Sequence, residues 1–187
     1  SLLHEFEVNP VEEENMVSTF KLANCYVISP NEPELKDENG NDKYDGYCFL
    51  ATIVGNGSAG IISSGAQKMY PEVEDIKPVA AHLLWESELG LISDVELKFG
   101  YVRFKLPDSS ARGNAVIAVY DADGRVLWSW HIWVTDYKPE IDFDVYPGYE
   151  ELKVMDRNLG AMSSRGKIES IGMVYQYQYQ SLLLQTG

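Results

Sequence analysis

Alternating apolar and polar positions dominate the chain, and stretches with helical periodicity are few and short. The clearest unit covers residues 113–135, where two runs rich in β-branched and aromatic residues, 116–120 and 126–134, flank Asp123 and Gly124. An Asp-Gly pair between two such runs is the strongest short-range signal for a β-hairpin. This part of the chain is therefore predicted to form an antiparallel hairpin with a two-residue loop.

The predicted loop fixes the register of this hairpin. It places Val119 opposite Trp128 and Ile117 opposite Trp130. Alternation then gathers one continuous apolar face, which has to be covered by a second sheet or by loops. The members of that face are Ala115, Ile117, Val119, Val126, Trp128, Trp130, Ile132 and Val134.

Further short strands are predicted on either side of the hairpin. Residues 47–54 are apolar on both faces, as in a buried strand. Apolar residues occupy odd positions between 95 and 99 and even positions between 102 and 106, and a bulge around Gly100 would account for the change of phase. Shorter candidate strands are 20–28, 83–86 and 152–156.

Many short strands separated by turns rich in Gly, Pro, Asn and Asp are typical of a β-sandwich. We expect an all-β sandwich of immunoglobulin-like or transthyretin-like Greek-key type with long polar loops, of which 30–46 is the longest. Residues 1–19 are interpreted as a lead-in or an edge strand and 20–137 as the sandwich core. Residues 138–187 are interpreted as a linker, centred on 138–148, and an extension that packs on the core or leaves it.

Charge excludes some classes of partner. The 187 residues include 15 basic and 29 acidic side chains, a net charge of −14. Such a surface repels nucleic-acid phosphates and disfavours docking on anionic lipid. No apolar run approaches the ~20 residues of a membrane helix. The first residues show neither a basic n-region nor an apolar signal core, so we expect that any export signal has been removed or never existed, and that membrane attachment would need an anchor outside this chain.

The two cysteines, Cys25 and Cys48, lie in separate strand-like stretches. A disulfide between them would close a loop and stabilise the folded state by roughly 3 kcal/mol. Two free buried thiols fit the same positions at least as well, because unpaired cysteine is common in protein cores. Two cysteines cannot build a Cys-x-x-Cys redox motif or a cysteine zinc site here, and we expect no metal site.

Two apparent ligand motifs lack the context that their chemistry needs. Residues 55–60 spell G-x-G-x-x-G, but no helix follows to receive a pyrophosphate, so a glycine turn is the better interpretation. Asp37, Asn39 and Asn41 have the spacing of the first ligands of a calcium loop. The sixth position of that loop, however, is Asp42 in place of Gly, and the twelfth is Cys48 in place of Glu. We therefore expect neither a nucleotide nor another cofactor.

Three aromatic residues are candidate ligand contacts. Alternation puts His131 and Trp133 on the face of the hairpin opposite its apolar stripe, where an exposed pair would stack on a sugar. A loop that covers this face is the competing interpretation. Tyr177 belongs to a segment, 175–180, in which Tyr and Gln alternate. That segment fits a strand edge open to another chain, an ordinary edge strand or a short terminal helix.

The sequence contains no G-x-S-x-G elbow, H-E-x-x-H pair or P-loop, and a non-enzymatic protein is expected. An acid–base glycan hydrolase would need an exposed cleft with two facing carboxylates. Several blocks resemble the fimbrillin-like proteins and related outer-surface lipoproteins of Bacteroidetes. The sharpest are residues 113–121 (GNAVIAVYD), 127–136 (LWSWHIWVTD) and 155–161 (MDRNLGA), within a resemblance that covers roughly residues 20–161.

This resemblance implies export to the outer-membrane surface or a fimbrium and a structural or adhesive role there. It implies partners among other surface or fimbrial subunits, and host or dietary glycans if the chain is a carbohydrate-binding module. It transfers no catalytic residue.

Overall fold

The computed structural model describes residues 22–29, 47–55, 75–138, 142–166, 168–176 and 183–185. Within these ranges the chain forms β-strands and one turn of 3-10 helix at Ile168–Ser170. The strands are β1 (Cys25–Ile28), β2 (Tyr47–Leu50), β3 (Ala80–Glu86), β4 (Ser93–Lys98), β5 (Tyr101–Lys105), β6 (Gly113–Tyr120), β7 (Val126–Val134), β8 (Phe143–Tyr146), β9 (Tyr149–Met155), β10 (Val174–Gln176) and β11 (Leu183–Gln185).

Two of the sheets pack face to face, which confirms the predicted all-β sandwich. One sheet has the strand order β1-β7-β6-β3, and the other has the order β2-β5-β4. Aromatic rings join the two layers: the ring centroids of Phe49 in β2 and Trp130 in β7 lie 5.0 Å apart. The fully buried centre of this core also holds Ile28, Val102, Phe104, Ala115, Ile117, Val119, Ile132 and Val134.

The register predicted for the β6–β7 hairpin is confirmed, although its loop differs from the prediction. Ile117 lies opposite Trp130 and Val119 opposite Trp128. The loop holds three residues, 122–124, closed by a hydrogen bond from the Gly124 N–H to the Asp121 carbonyl at 3.1 Å. An extra loop residue shifts the pairing by one, and a bulge before Trp128 shifts it back.

The same bulge corrects one member of the predicted apolar face. Tyr120 lies opposite Val126 while Val119 lies opposite Trp128, so Leu127 is the extra residue on β7. Between the loop and the bulge, the side chains of β7 alternate out of phase with those in the rest of the strand. Leu127 therefore packs against the core, and Val126 is exposed.

The predicted bulge at Gly100 is wrong, because a hairpin turn stands there. Lys98 of β4 lies opposite Tyr101 of β5, and Phe99 and Gly100 form the loop between them with φ of 50° and 80°. Positive φ at both loop residues is the signature of a type I′ turn. Opposite residues across a two-residue loop have positions of opposite parity, which explains the observed change of phase.

The four-stranded sheet is buried on both faces along much of β6 and β7. Val116 and Ala118 point away from the sandwich core, yet both have no exposed surface. Part of the cover comes from residues 156–166 and 168–173, here called the covering segment. Its Ala161 is fully buried, and its Gly160 carbonyl accepts a hydrogen bond from the Asn114 side chain of β6 at 2.9 Å.

The stretch interpreted as a linker contains a strand. Phe143 and Val145 alternate with acidic residues between Pro139 and Pro147, and β8 forms there and pairs with β9. β9 confirms the short strand predicted at 152–156 and extends it to Tyr149. β8 and β9 pair with each other as a separate two-stranded sheet, as do β10 and β11.

Candidate functional site

His131 and Trp133 lie on the predicted face of β7, but neither is exposed. Their side chains are 1% and 0% accessible, and the two rings stack with centroids 6.5 Å apart. The expectation of an exposed aromatic pair is therefore wrong, and the alternative of a face covered by a loop is confirmed. Gly160 of the covering segment comes against His131, and the ring of Tyr137 packs beside Trp133 with centroids 5.4 Å apart.

His131 is the centre of a hydrogen-bonded network that fixes the covering segment. Its Nε2 lies 2.8 Å from Oδ1 of Asn114, whose Nδ2 donates to the Gly160 carbonyl. Because Oδ1 can only accept, His131 Nε2 must carry a proton in this arrangement. The network thus selects one tautomer of the neutral imidazole and links β7, β6 and the covering segment.

Gly160 fits this network because it has no side chain. It has φ of +79°, and a Cβ placed on it would come within 2.9 Å of Asn114 Oδ1 and 3.1 Å of His131 Cε1. The Cγ of Met173 would lie only 2.6 Å away. Close approach and positive φ both require glycine here.

Electrostatics keep His131 neutral. Burial lowers the pKa of this side chain to about 4, because a charged imidazolium would lose its hydration. The ring therefore acts as a neutral structural donor at ordinary pH. Among the described residues, no group of three His, Cys, Asp or Glu side chains is placed to hold a metal ion.

Arg157 forms a second attachment of the covering segment. Its guanidinium carbon lies 4.1 Å from the ring centroid of Tyr137, just after β7. The same guanidinium donates two hydrogen bonds to the carboxylate of Asp156, at 2.6 and 3.0 Å. These bonds hold the pKa of Asp156 below its ordinary value. Cation–π and bidentate contacts together fix the chain where the β8–β9 hairpin returns to the sandwich.

Both cysteines are free thiols in the structure. Cys25 lies in β1 opposite His131, and Cys48 lies in β2 of the other sheet. Burial raises the pKa of Cys25 to about 12, which suppresses the reactive thiolate. Of the two interpretations of these residues, the structure therefore shows the unbonded one.

The β8–β9 hairpin is the part of the described chain that presents most apolar side chains to solvent. Lys138 and Asp142 close its base: the Lys138 N–H donates to the Asp142 carboxylate at 2.9 Å, and the Asp142 N–H donates to the Lys138 carbonyl at 2.7 Å. Its large exposed hydrophobic residues, each between 43% and 58% accessible, are Val145, Tyr146, Tyr149, Leu152 and Val154. Such a concentration of exposed apolar side chains in one short hairpin makes it a candidate interaction site.

Tyr146 and Tyr149 flank the turn at the tip of this hairpin. They lie opposite each other, with ring centroids 5.8 Å apart and ring planes inclined at 54°. Two rings at this inclination form a wedge and not a flat platform. The tip therefore suits a narrow side chain better than the flat face of a sugar ring.

Sequence reasoning missed three parts of this arrangement. Asn114 is the one amide in an otherwise apolar strand and was the available signal for the buried network. Tyr137 carried no local signal, because its contact with Arg157 depends on tertiary folding. Tyr146 lies inside the stretch interpreted as a linker, 138–148, and Tyr149 directly follows it.

Other predicted features lie outside the described residues. These are Tyr177, the acidic stretch with Asp37, Asn39 and Asn41, the lead-in at 1–19 and residues 56–60 of the glycine motif. Gly55, which opens that motif, stands in a turn with φ of +55° against the Asn24 side chain.

Comparisons with protein-family models, with curated proteins and with solved structures found no match. In the part of the chain that the structure describes, no helix has the length and hydropathy needed to cross a bilayer.

Proposed function

We propose that this chain is a non-enzymatic structural or adhesion module of a bacterial cell surface, as a component of a fimbrium or a surface lipoprotein. The observation that carries the proposal is the β8–β9 hairpin, which holds half-exposed aromatic and aliphatic side chains away from a buried β-sandwich. Recognition residues on a loop or hairpin that projects from a rigid scaffold are typical of binding modules.

The buried network gives the family-like blocks a structural role consistent with this proposal. Residues 155–161, which resemble a block of fimbrillin-like proteins, supply Arg157 for Tyr137 and Gly160 for the Asn114–His131 pair. The contacts of these residues hold the base of the hairpin on the four-stranded sheet. Adhesion under load needs such a fixed base.

A carbohydrate-binding module was the alternative suggested by the sequence. Its two described candidates, His131 and Trp133, have almost no accessible surface, and the Tyr146–Tyr149 rings are inclined to each other. Planar stacking on a sugar needs an exposed ring face, so these observations favour a protein partner over a glycan.

The first experiment asks where the chain acts. In the producing bacterium, an antibody against the folded protein should label intact cells, and external protease should remove the labelled protein. A cytoplasmic location of the full-length protein would contradict the proposal.

The second experiment asks whether the hairpin carries the function. Replacing Tyr146, Tyr149 and Leu152 by Ser should reduce attachment of the cells, or assembly of the surface structure, without changing thermal stability, because all three are more than half exposed. The matched control replaces Val79, Leu89 and Ile168 by Ser, which are at least as exposed but lie elsewhere. Equal effects of both triple variants would contradict a role specific to the hairpin.

A further inference from the structure

We infer that the β8–β9 hairpin binds an extended segment of another protein in which basic and aliphatic residues alternate, and that this segment adds as a strand alongside β9. This inference rests on the proposed adhesion function and specifies the chemistry of the partner. Four observations support it: an edge of β9 that no described strand pairs with, exposed apolar side chains, charge and the inclination of the two tip rings.

Within the described residues β9 is paired along one edge only, and its ladder with β8 is interrupted by a bulge near the tip. Lys153 lies opposite Val145 and Tyr149 opposite Tyr146, so β8 supplies no residue opposite Glu150, Glu151 and Leu152. Among the described residues, β9 pairs with β8 and with no other strand. An isolated two-stranded hairpin is marginally stable in water, and an added strand would satisfy its edge and stabilise it.

Apolar side chains of β9 would be partly buried by such a strand. Leu152 and Val154 are 52% and 49% exposed within the seven-residue strand β9. Covering these exposed parts would remove apolar surface from water and so favour binding. The partner segment therefore needs aliphatic residues in alternation, as a strand with one apolar face has.

Charge specifies the remaining positions of the partner and argues against a second copy of this chain. Residues 142–155 of the hairpin carry the acidic residues Asp142, Asp144, Glu150 and Glu151 and one basic residue, Lys153. Lys153 is itself engaged, with Nζ 4.4 Å from the ring centroid of Phe143. Two copies, each with a net charge of −14, would bring like charges together, whereas a basic segment is complementary.

The tip of the hairpin suits the same partner. Lys and Arg side chains bind over the faces of aromatic rings, most favourably when the site is partly desolvated. The inclined rings of Tyr146 and Tyr149, 5.8 Å apart, offer faces to one long cationic side chain. The acidic side chains of Glu150 and Glu151 follow directly in the sequence and would neutralise its charge.

The test uses the full chain and a fluorescent ten-residue peptide in which Lys and Val alternate, with a Glu/Val peptide of the same length as its negative control. Fluorescence anisotropy should show saturable binding of the Lys/Val peptide alone. Glu150→Lys with Glu151→Lys should weaken binding by about tenfold or more, the effect of losing roughly 1.4 kcal/mol. Asp75→Lys with Glu88→Lys makes the same change of net charge at exposed sites outside the hairpin, and it should weaken binding by less than about twofold.

Hydrogen exchange measures the protection of individual backbone amides, which general electrostatic attraction to the peptide would not change. Peptide binding should protect the amides of residues 149–155, and the Leu152→Asp variant should remove that protection. Equal weakening by the two double variants, equal binding of the Glu/Val peptide, or protection confined to other strands would each overturn the inference. Self-association that depends on protein concentration and is lost in the Leu152→Asp variant would overturn the inference, because the hairpin would then bind a second copy of this chain.

The two proposals fail separately. Peptide binding at the hairpin by a protein that is not displayed on the cell surface would leave the inference standing and remove the proposed function. Display and hairpin-dependent attachment without peptide binding would do the reverse.

Discussion

Asn114 joins His131 to Gly160 through the two atoms of a single amide: Oδ1 lies 2.8 Å from the imidazole Nε2, and Nδ2 donates to the glycine carbonyl at 2.9 Å. No other residue of β6 has an amide side chain, and the other residues between Gly113 and Val119 are apolar. An amide is the side chain that can accept from one neighbour and donate to the other. The network therefore depends on this one position.

Asn114→Ala should destabilise the protein by about 2–4 kcal/mol, because it leaves a buried donor and a buried acceptor without their partner. Asn114→Asp retains the acceptor for His131 but turns a carboxylate oxygen toward the Gly160 carbonyl, and it should also destabilise. Urea denaturation measures both variants. A loss below about 0.5 kcal/mol for Asn114→Ala would contradict the importance of the network.

Stability should fall as the pH falls from about 6.5 to 4. The folded-state pKa of His131 is lowered to about 4, whereas the unfolded chain binds this proton near pH 6.5. The unfolded state therefore takes up more protons in that interval, and up to about 3 kcal/mol is lost, on the order set by the shift. Denaturation at several pH values should show the slope.

His131→Gln is the variant that isolates this effect. It keeps a donor near Asn114 but has no titrating ring, so the slope between pH 6.5 and 4 should flatten. His82→Gln, on the exposed side of β3, is the matched control for replacing an imidazole by an amide. The same slope in the parent and the His131→Gln variant would disprove the assignment.

Gly160→Ala and Gly124→Ala form a matched pair, since their φ values are +79° and +76°. Placing alanine at positive φ costs about 1–2 kcal/mol of stability, and this cost is common to both variants. A Cβ at Gly124 meets nothing within 4 Å, whereas at Gly160 it meets Met173 at 2.6 Å and Asn114 at 2.9 Å. Gly160→Ala should therefore lower the unfolding free energy by at least about 1 kcal/mol more, as overpacking does. Equal losses in thermal or urea unfolding would show that the covering segment is not closely packed there.

Phe99→Asn should stabilise the protein by about 1 kcal/mol. Phe99 has φ of 50° in the β4–β5 turn, a conformation that costs an ordinary residue about 1–2 kcal/mol and that Asn tolerates better. Phe99→Ala keeps the backbone strain and removes the ring, so it should not be stabilised. Thermal denaturation of the two variants separates the backbone effect from the loss of the ring.

Cys25 should resist thiol reagents until the protein unfolds, because burial raises its pKa to about 12. Labelling with a disulfide reagent should be slow in buffer and fast in denaturant, and it should find two thiols per chain. Intact mass before labelling provides the control, since a Cys25–Cys48 disulfide would lower it by two hydrogens. Such a mass would contradict the free thiols of the structure.

Local patterns were sufficient where a strand and its partner are neighbours in sequence. The β6–β7 hairpin was predicted in register because long alternating runs flank Asp123 and Gly124. The same reasoning misread Gly100, since a bulge and a two-residue turn change the phase of the pattern in the same way. Only the strand pairing distinguishes them, through Lys98 lying opposite Tyr101.

Contacts between distant segments were beyond the reach of the sequence. β1 pairs with β7 in parallel, with Cys25 opposite His131, and no local pattern encodes that choice. The burial of Trp133 depends on cover by tertiary structure, part of which comes from the covering segment. Alternation could identify the face on which Trp133 lies but not what covers it. The exposed tip at Tyr146 and Tyr149 was missed because β8 is only four residues long and is flanked by prolines.

The hairpin leaves the sandwich directly after β7, and this has a mechanical consequence. A tension applied to the hairpin along the direction of β7 reaches the end of a strand that is bonded to β6 on one side and β1 on the other. These hydrogen bonds are perpendicular to the applied force, so the force would load them in shear. They would then have to break together and not one after another. The Thr135 N–H extends the β1 side by donating to the Ile28 carbonyl at 2.9 Å. The sandwich is thus built to resist being unzipped from its hairpin end.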